Sequence, residues 1–535
     1  MGGVDDWFLI ADERGNPWTR IDRGASEGGW STGNRVEVLV DGATYFASLY
    51  RELCSLQRDD WVHFTDWEGD PDERLDGPGT ELASVLEELA RRDVHVRGLL
   101  WRSHPAQVNF SEQQNTALTK RVNAAGGEIL LDERVRRGGS HHQKLFVLRR
   151  REGPDEDVAF VGGIDLCHGR HDDGRHLGDP QAVELDDRYG DRPPWHDVQL
   201  QLRGPAVVAV ADTFRERWED PHPLDHHNPW RRAVRSFTRQ PRHPDPLPPR
   251  REEPAAAGPH AVQVLRTYPA KHPMYPFAPE GERSIARAYL KAIPRARRLV
   301  YLEDQYFWSE RGAHLLADAL RAQPDLHVVV VVPRYPDRDG HVAGPASRIA
   351  RERATCIVER AGRDRVLVCD LENEDGVPIY VHAKVCIVDD VWMMVGSDNM
   401  NRRSWTHDSE LSCSVLDDTR DEREPRDPAG LGDGARVLAR DTRLRLWREH
   451  LGRIDDGDDD DLVDPATAVA AFREAAEALD RWHAEGRVGA RPPGHLRIHR
   501  PDRVPRRHRW WAHVVSRVVN DPDGRARQQR RAERY

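Results

Sequence analysis

The chain has few cysteines, and no segment suits a membrane crossing or a cleaved leader. Six cysteines occur among 535 residues, none in a C-x-x-C pair, which favours reduced thiols over a disulfide framework or a zinc-binding cysteine cluster. No window is long and apolar enough to span a bilayer. The N-terminal segment MGGVDDWFLIADERG has acids where a classical signal peptide has a basic region. We expect a cytoplasmic or peripheral membrane protein, with export by a specialised secretion machine as the alternative.

The chain also lacks the basic excess that nucleic-acid binders usually have. It contains 80 lysines and arginines against 91 acids, a formal net charge of -11. It has no stripe of alternating aromatic and basic residues that would bind single-stranded nucleic acid. We therefore expect no nucleic-acid partner, although a local basic groove is compatible with an acidic total.

One apolar segment, VHAKVCIVDDVWMMVGSDN, carries polar residues at both ends. His382 and Lys384 stand two positions apart and therefore share one face of a strand. A tight turn at Asp389 would fold the second half of the segment back as a hairpin. The returning run would bring two further polar side chains beside that face, Ser397 and Asn399.

A second hairpin of the same kind lies upstream. His142 and Lys144 open the run LFVL, and the run VAFVGGID follows a polar turn and ends at Asp165. Each hairpin is preceded by the same order of elements: helix, strand, helix, strand, helix, strand. The repeat predicts an α/β fold of two fused α-β-α sandwich halves, related by internal duplication, with an active site at their interface.

The repeat also predicts the domain boundaries. We expect an N-terminal extension over residues 1–35, a first repeat with its linker over 36–253 and a second repeat over 254–453. Residues 454–535 would form an acidic loop, a helix and a basic tail, the acidic run at 455–461 being a solvated loop. Because duplication supplies both halves of the site in one chain, we expect a monomer.

These motifs, in this order, resemble the phospholipase D superfamily and, within it, the eukaryotic-type branch. The superfamily pattern HxKx4D with a following GSxN fits the second hairpin at His382, Lys384, Asp389, Gly396, Ser397 and Asn399. Longer strings also look like that branch, among them SHHQKLFVL, AFVGGIDLCHGRHD, PWHDVQLQLRGPAV, LEDQYF, GSDNMNRRSW and DSEL. The resemblance covers about residues 36–453.

The resemblance implies a double displacement through a phosphohistidine, without metal or cofactor. A neutral imidazole can attack phosphorus without prior deprotonation. The resemblance makes His142 the nucleophile and His382 the general acid and base, although the residues themselves leave the two roles exchangeable. Lys144 and Lys384 would hold the nonbridging oxygens, with Asn399 as a neutral donor.

An imidazole also needs its second ring nitrogen held, usually by a carboxylate. We predict crossed pairs, Glu410 with His142 and Asp172 with His382. Three residues are predicted to support the site without contacting phosphate: Asp165, which would orient a neighbour, Asp389, which would support the hairpin, and Ser397.

The first hairpin departs from the family pattern, because Arg149 stands where the pattern has an aspartate. Asp155 or Asp157 across the longer turn could replace it, and we still expect an active enzyme. No metal site is predicted, since no pair among the nearby histidines has the helical spacing of known zinc motifs: His141, His168, His171 and His176. Two dipeptides are interpreted as structural, His196-Asp197 and Tyr306-Phe307.

The predicted function is that of a phospholipase D, which would release the head group of phosphatidylcholine or phosphatidylethanolamine and transfer phosphatidyl groups to alcohols. The alternatives are a nuclease-type phosphodiesterase on the same fold, a cardiolipin-type phosphatidyltransferase and an inactive lipid-binding scaffold. The partner would be a phospholipid membrane surface. An apolar stripe beside arginines near the C-terminus could provide the contact, although core packing is the favoured interpretation: Trp510, Trp511, Val514, Val515, Val518 and Val519.

Overall fold

The computed structural model describes residues 3–21, 29–102, 112–224, 243–337, 343–453, 459–532 and 535. Much of the predicted linker between the halves, and part of the acidic run at 455–461, lie outside these residues. Within these ranges, none of the helices has the combination of length and hydrophobicity that crossing a bilayer requires.

The apolar runs of the first half form one mixed sheet. Its strands are β1 Ser31–Val40, β2 Trp61–Asp66, β3 His95–Trp101, β4 Glu128–Asp132, β5 Leu145–Arg149, β6 Val158–Gly162 and β8 Val198–Arg203. The short strand β7 Trp195–His196 pairs instead with a strand of the second half. Strands β2, β3 and β4 are parallel, and the antiparallel strands continue from β2 in the order β5-β6-β8-β1.

The second half repeats this sheet. Its strands are β9 His260–Tyr268, β10 Glu282–Arg283, β11 Leu299–Glu303, β12 His327–Val331, β13 Val366–Glu372, β14 Pro378–Val381, β15 Val385–Val388, β16 Trp392–Gly396, β17 Glu410–Asp417 and β18 Leu496–Ile498. Strands β11, β12 and β13 are parallel, and the antiparallel strands continue from β11 in the order β15-β16-β17-β9. The two sheets match strand for strand, which confirms the predicted duplication.

Helices cover both faces of the sheets. They are α1 Val4–Trp7, α2 Ala11–Arg14, α3 Gly42–Cys54, α4 Leu82–Arg91, α5 Glu112–Ala124, α6 Ala206–Trp218, α7 Ser284–Ala292, α8 Glu310–Ala322, α9 Ala343–Gly362, α10 Arg402–Thr406, α11 Val437–His450, α12 Asp460–Val463, α13 Pro465–Ala484, α14 Arg506–Val515 and α15 Arg527–Arg531. Helices α4 and α5 connect the parallel strands of the first sheet, and α8 and α9 connect those of the second.

A core shared by the two halves lies between the sheets. Along β15, Val385 and Ile387 enter this shared core, whereas Cys386 and Val388 enter an outer core under helices. Strand β5 alternates in the same way. Helices α6, α11 and α13 also contribute to the shared core, so each sheet has helices on both faces. The predicted α/β sandwich architecture is therefore confirmed.

Segments from outside the two repeats join the second half. Trp7 and Phe8 are buried in its outer core, and β18 adds to its sheet by pairing with β13. Strands β1 and β9 also pair, which joins the two sheets at one edge. The domain boundaries proposed from the sequence stay a prediction.

The second hairpin has the predicted turn. Asp389 and Asp390 have φ values of 52° and 56°, as a two-residue turn with both central residues left-handed requires. One detail differs from the expectation: His382 and Lys384 lie in the link between β14 and β15 and not within a strand. All six cysteines are in the described residues, and none of them forms a disulfide there.

Candidate active site

Each histidine of the two H-x-K motifs is bound by a carboxylate from the other half of the chain. His142 Nδ1 lies 2.8 Å from Glu410 Oε2, as predicted. The contact arises because the backbone N–H of His142 donates to the carbonyl of Ser409 at 3.0 Å, which places Glu410 beside the ring. Ser397 fixes that carboxylate by donating its hydroxyl to Oε2 at 2.6 Å.

The predicted pair of Asp172 with His382 is wrong, because the partner of His382 is Asp197. His382 Nδ1 lies 2.6 Å from Asp197 Oδ2. Strand β7 pairs with β14 in parallel, and this pairing places Asp197, the residue after β7, beside His382, the residue after β14. Asp172 instead accepts backbone N–H groups of Gly178 at 3.0 Å and Trp195 at 2.8 Å. It stabilises the loop that leads into β7.

For His196-Asp197 the sequence favoured a structural role over a catalytic one, whereas Asp197 contacts a histidine of the site. The internal repeat contained the signal, since Glu410 opens β17 and Asp197 directly precedes β8, the matching strand of the first sheet. Aligning the two repeats would have favoured Asp197 over Asp172.

Lys144 is buried among carboxylates. Its Nζ lies 3.0 Å from Asp165 Oδ1, and only 1% of its side chain is exposed. Burial lowers the pKa of Lys144, but Asp165 and Asp66 outweigh burial and raise it above the ordinary value. The ammonium therefore stays charged and paired with Asp165. The role predicted for Asp165, orienting a neighbour, stays a prediction.

Lys384 lies in a less acidic setting. Burial lowers the pKa of Lys384 to about 8, against the attraction of Asp197 and with help from the charge of Lys144. Its ammonium donates to the carbonyl of His382 and lies 3.5 Å from Gln305 Oε1. Gln305 belongs to the string LEDQYF, whose part in the site the sequence did not reveal.

His382 is a neutral base. Burial lowers its pKa well below the ordinary value, and the cations of Lys384 and Arg170 add to this effect. The Arg170 guanidinium lies 3.9 Å from the ring of Trp195, and that ring lies 5.0 Å from the His382 ring. Arg170 and Trp195 therefore place a buried positive charge near the histidine ring.

The remaining predicted residues have the following contacts. Asp389 accepts the backbone N–H groups at the start of β11, with Leu299 N at 2.8 Å, and so supports the hairpin. Asn399 is 2% exposed, and its Oδ1 has no hydrogen-bond partner among the described residues. Phe307 is buried in the outer core of the second half, in agreement with a packing role, and the ring of Tyr306 stacks on Trp308.

Arg149 forms an ion pair with an aspartate on the other side of the turn of the first hairpin. Its guanidinium donates to Asp157, and the side chains are 5% and 0% exposed. Asp157 also accepts the backbone N–H of Arg150 at 2.6 Å. Of the two substitutes considered, Asp157 therefore contacts Arg149, whereas Asp155 accepts the N–H of Ala255.

Comparison with known proteins supports the resemblance. A family model described as phospholipase D matches residues 81–228 and 366–526, more than half of the chain, and one described as cardiolipin synthase, PLD-like domain, matches residues 289–422. Phospholipase D alpha 2 of Oryza sativa subsp. japonica is 27% identical over 478 residues, which cover 70% of this chain and 56% of that protein.

Two further similar proteins differ in coverage. Phospholipase D A of Dictyostelium discoideum is 30% identical over 379 residues, covering 59% of this chain and 27% of that protein. The chain thus spans only part of the curated relatives it matches. Among solved structures, the phosphatidylserine synthase of Haemophilus influenzae Rd KW20 has a TM-score of 0.47 at 14% identity, covering 71% of this chain and 82% of that one.

Proposed function

Because the chain belongs to the phospholipase D family, we propose that it hydrolyses the head-group phosphodiester of glycerophospholipids and transfers the phosphatidyl group to small alcohols. The observation that carries this proposal is the crossed arrangement of His142 with Glu410 and His382 with Asp197. Two imidazoles with fixed second nitrogens, beside two buried lysines, suit the in-line exchange of one phosphate ester for another.

In the first step, the free ring nitrogen of His142 forms a bond to phosphorus as the bond to the head-group oxygen breaks. His382, which takes up a proton at its free ring nitrogen when the anionic phosphodiester binds beside it, gives that proton to the leaving oxygen. In the second step, His382 takes a proton from water or an alcohol, whose oxygen attacks phosphorus and displaces His142. Glu410 and Asp197 act as positioning residues, since each holds the ring of one histidine in a single orientation.

The lysines would compensate the charge of the phosphodiester. Lys144 and Lys384 are 1% and 3% exposed, so their charges act in a site with little screening. Asn399 would donate its amide to a nonbridging oxygen. This arrangement supports a route in which the protein's own cations do the work that a divalent ion does elsewhere.

The membrane contact would be formed by helix α14 and the turn of π-helix that follows it, Ser516–Asn520. The sequence favoured core packing for this segment, but four of its large apolar side chains are exposed: Trp510 at 80%, Val514 at 44%, Val518 at 67% and Val519 at 60%. Trp511 instead packs against a small core with Ile349. Exposed arginines flank the apolar stripe, among them Arg506, Arg507 and Arg517. Such a surface suits an anionic bilayer interface.

The function is tested with vesicles of phosphatidylcholine or phosphatidylethanolamine in buffer that contains EDTA and a small amount of butanol. Lipid products are measured by mass spectrometry. We expect phosphatidic acid and phosphatidylbutanol, in a ratio that is the same for both lipids, because both pass through one phosphatidyl-enzyme. His142→Ala and His382→Ala should abolish both products.

Three results would contradict the proposal. Phosphatidic acid without phosphatidylbutanol would indicate direct attack by water. Full activity in His142→Ala would exclude the covalent step. Cleavage of oligonucleotides but of neither lipid would favour the nuclease alternative. Adding phosphatidylglycerol as acceptor tests the cardiolipin-type transfer that the second family match suggests.

A further inference from the structure

Two acids of the first half lie next to Lys144, and the proposed chemistry gives neither of them a step. Asp66 ends β2, and Asp165 follows β6. Their carboxyl groups are hydrogen-bonded to each other, and the two residues are 1% and 2% exposed. Asp165 Oδ1 also lies 3.0 Å from Lys144 Nζ. A hydrogen bond between two carboxyl groups requires a proton on one of them, because an ionised carboxylate only accepts.

The neighbouring charges determine which of the two acids carries the proton. Asp165 lies near two cations, Lys144 and the Arg170 guanidinium, which is 4.0 Å away. Burial raises the pKa of Asp165, but these cations lower it below its ordinary value. For Asp66, burial and the charge of Asp165 raise the pKa well above the ordinary value, against the attraction of Lys144. The proton therefore lies on Asp66, at Oδ2, since Oδ1 accepts the backbone N–H of Trp67 at 2.8 Å.

The second half has one acid where the first half has two. The register of β2 with β5 and of β11 with β15 places Asp66 and Asp304 at matching positions of the repeat. Asp304 accepts three backbone N–H groups at distances between 2.5 and 2.9 Å. Asn399 stands where the first half has Asp165. The first half therefore contains an additional acid, and the proton on Asp66 removes the additional negative charge.

We propose that Asp66 is a positioning residue of the phosphate site, which donates a hydrogen bond to Asp165 as a neutral acid and so leaves the Lys144 ammonium available to a phosphate oxygen. This inference rests on the proposed function, in which Lys144 binds that oxygen. With the proton in place, Lys144, Asp165 and Asp66 together carry no net charge. With both acids ionised, the three groups would carry a net negative charge and would repel an anionic phosphodiester, because a buried site screens charge poorly. Asp66 adds its own negative charge beside Lys144 only when the proton is lost at high pH.

The contacts of Lys144 leave it able to bind a further oxygen. An ammonium group has three hydrogens to donate. Lys144 Nζ lies 3.0 Å from Asp165 Oδ1 and donates to the carbonyl oxygen of His142 at 3.2 Å. These contacts, both within the described residues, engage two of the three hydrogens and leave one for a nonbridging oxygen. They also hold the ammonium between Asp165 and the backbone of the proposed nucleophile.

Infrared spectroscopy of the full-length protein at neutral pH tests for the proton without measuring activity. A protonated carboxyl group has a carbonyl stretch at higher frequency than an ionised carboxylate, and the band moves to lower frequency in D₂O. The difference spectrum between the parent and Asp66→Asn should show the loss of one such band. Asp165→Asn should lose the same band, because Asp66 then lies beside Lys144 without a second acid and ionises. Asp60→Asn should keep it, since Asp60, a buried acid directly before β2, accepts backbone N–H groups.

Two substitutions of Asp66 test its effect on the phosphate site. Asp66→Asn keeps a donor to Asp165, because an amide N–H replaces the acid O–H, whereas Asp66→Ala removes it. We expect kcat/KM on phosphatidylcholine vesicles to be at least about tenfold lower in Asp66→Ala than in Asp66→Asn. The dissociation constant of inorganic phosphate, measured by calorimetry, should differ between the two variants in the same direction. The infrared band and phosphate binding do not require turnover, so failure of this inference and failure of the proposed catalysis are separable.

Two results would overturn the proposal. The first is a carboxylic acid band that is unchanged in Asp66→Asn or, if that variant does not fold, in Asp165→Asn. The second is equal phosphate affinity in folded Asp66→Ala and Asp66→Asn, which would mean that the donor at this position has no influence on Lys144. Circular dichroism and the thermal midpoint establish that each variant is folded.

Discussion

Asp197 of the first half lies 2.6 Å from the ring nitrogen of His382 in the second half. The reverse contact, Glu410 of the second half with His142 of the first, spans 2.8 Å. Each contact follows a backbone pairing of the H-x-K segment with the segment just before the carboxylate. The two contacts are therefore equivalent under the symmetry of the repeat, and they predict equivalent effects on catalysis.

Asp197→Asn should lower kcat by about a hundredfold or more, because the His382 ring loses the charge that fixes its tautomer. Asp172→Asn is the control, since Asp172 binds only backbone N–H groups of the neighbouring loop. The measurement is the initial rate on phosphatidylcholine vesicles, with the thermal midpoint followed in parallel. A larger loss of kcat in Asp172→Asn than in Asp197→Asn would contradict the assignment.

Ser397→Ala should lower kcat by roughly fivefold to tenfold, an effect of about 1 kcal/mol, by removing a hydrogen bond that fixes the Glu410 carboxylate. Ser404→Ala provides a buried serine of the same size outside the site. Equal rates for Ser397→Ala and the parent would show that His142 alone orients Glu410.

The pH profile should reflect Lys384. Its pKa of about 8 means that the ammonium is charged below that pH and neutral above it. On phosphatidylcholine, whose head group does not titrate in this range, kcat/KM should fall as the pH rises through about 8. Lys144, whose pKa is raised, should stay charged throughout. A kcat/KM that stays level to pH 10 would exclude a role for the Lys384 charge.

Arg149→Met should destabilise the fold by about 3 kcal/mol, because it leaves Asp157 buried without its cationic partner. The kcat of the folded fraction should be unchanged, since the pair lies at the far end of the β5–β6 hairpin from His142. Chemical denaturation measures the first effect and the vesicle assay the second. A large loss of kcat with unchanged stability would place Arg149 in the site.

Trp510→Ser with Val518→Ser should weaken binding to anionic vesicles at least about tenfold, while turnover of a monomeric short-chain phospholipid is retained. Trp18, which is 56% exposed, supplies the control substitution Trp18→Ser. Vesicle flotation measures binding. Unchanged binding in the double variant would mean that another surface contacts the membrane.

The sequence predicted the hairpins well, because their information is local. Alternating apolar residues define β15 and β16, and two aspartates that accept left-handed φ values close the turn between them. The repeated order of elements predicted the duplicated sheet for the same reason. The exchange of Asp172 for Asp197 could not be predicted from local pattern, since both acids lie in one polar region. The alignment of the two repeats favours Asp197, and the pairing of β7 with β14 brings it to His382.

The pKa values of the lysines depend on contacts that no short window contains. Lys144 and Lys384 occupy the same position of the same motif, yet Asp165 and Asp66 outweigh the effect of burial on the pKa of Lys144, whereas Asp197 does not outweigh it for Lys384. The buried group of Asp41, His176, His196 and Glu449, with side-chain atoms within 4.8 Å of one another, is also invisible to a short window, because its members come from separate segments of both halves.

The crossed carboxylates mean that neither half could turn over substrate alone. A single ancestral repeat with these contacts would have been active only as a symmetric pair of identical chains, each lending its acid to the other. Once the two copies were joined in one polypeptide, their sequences could differ. Arg149 in one copy, where the other copy has Asp389, is a divergence that a symmetric pair would have had to accept twice.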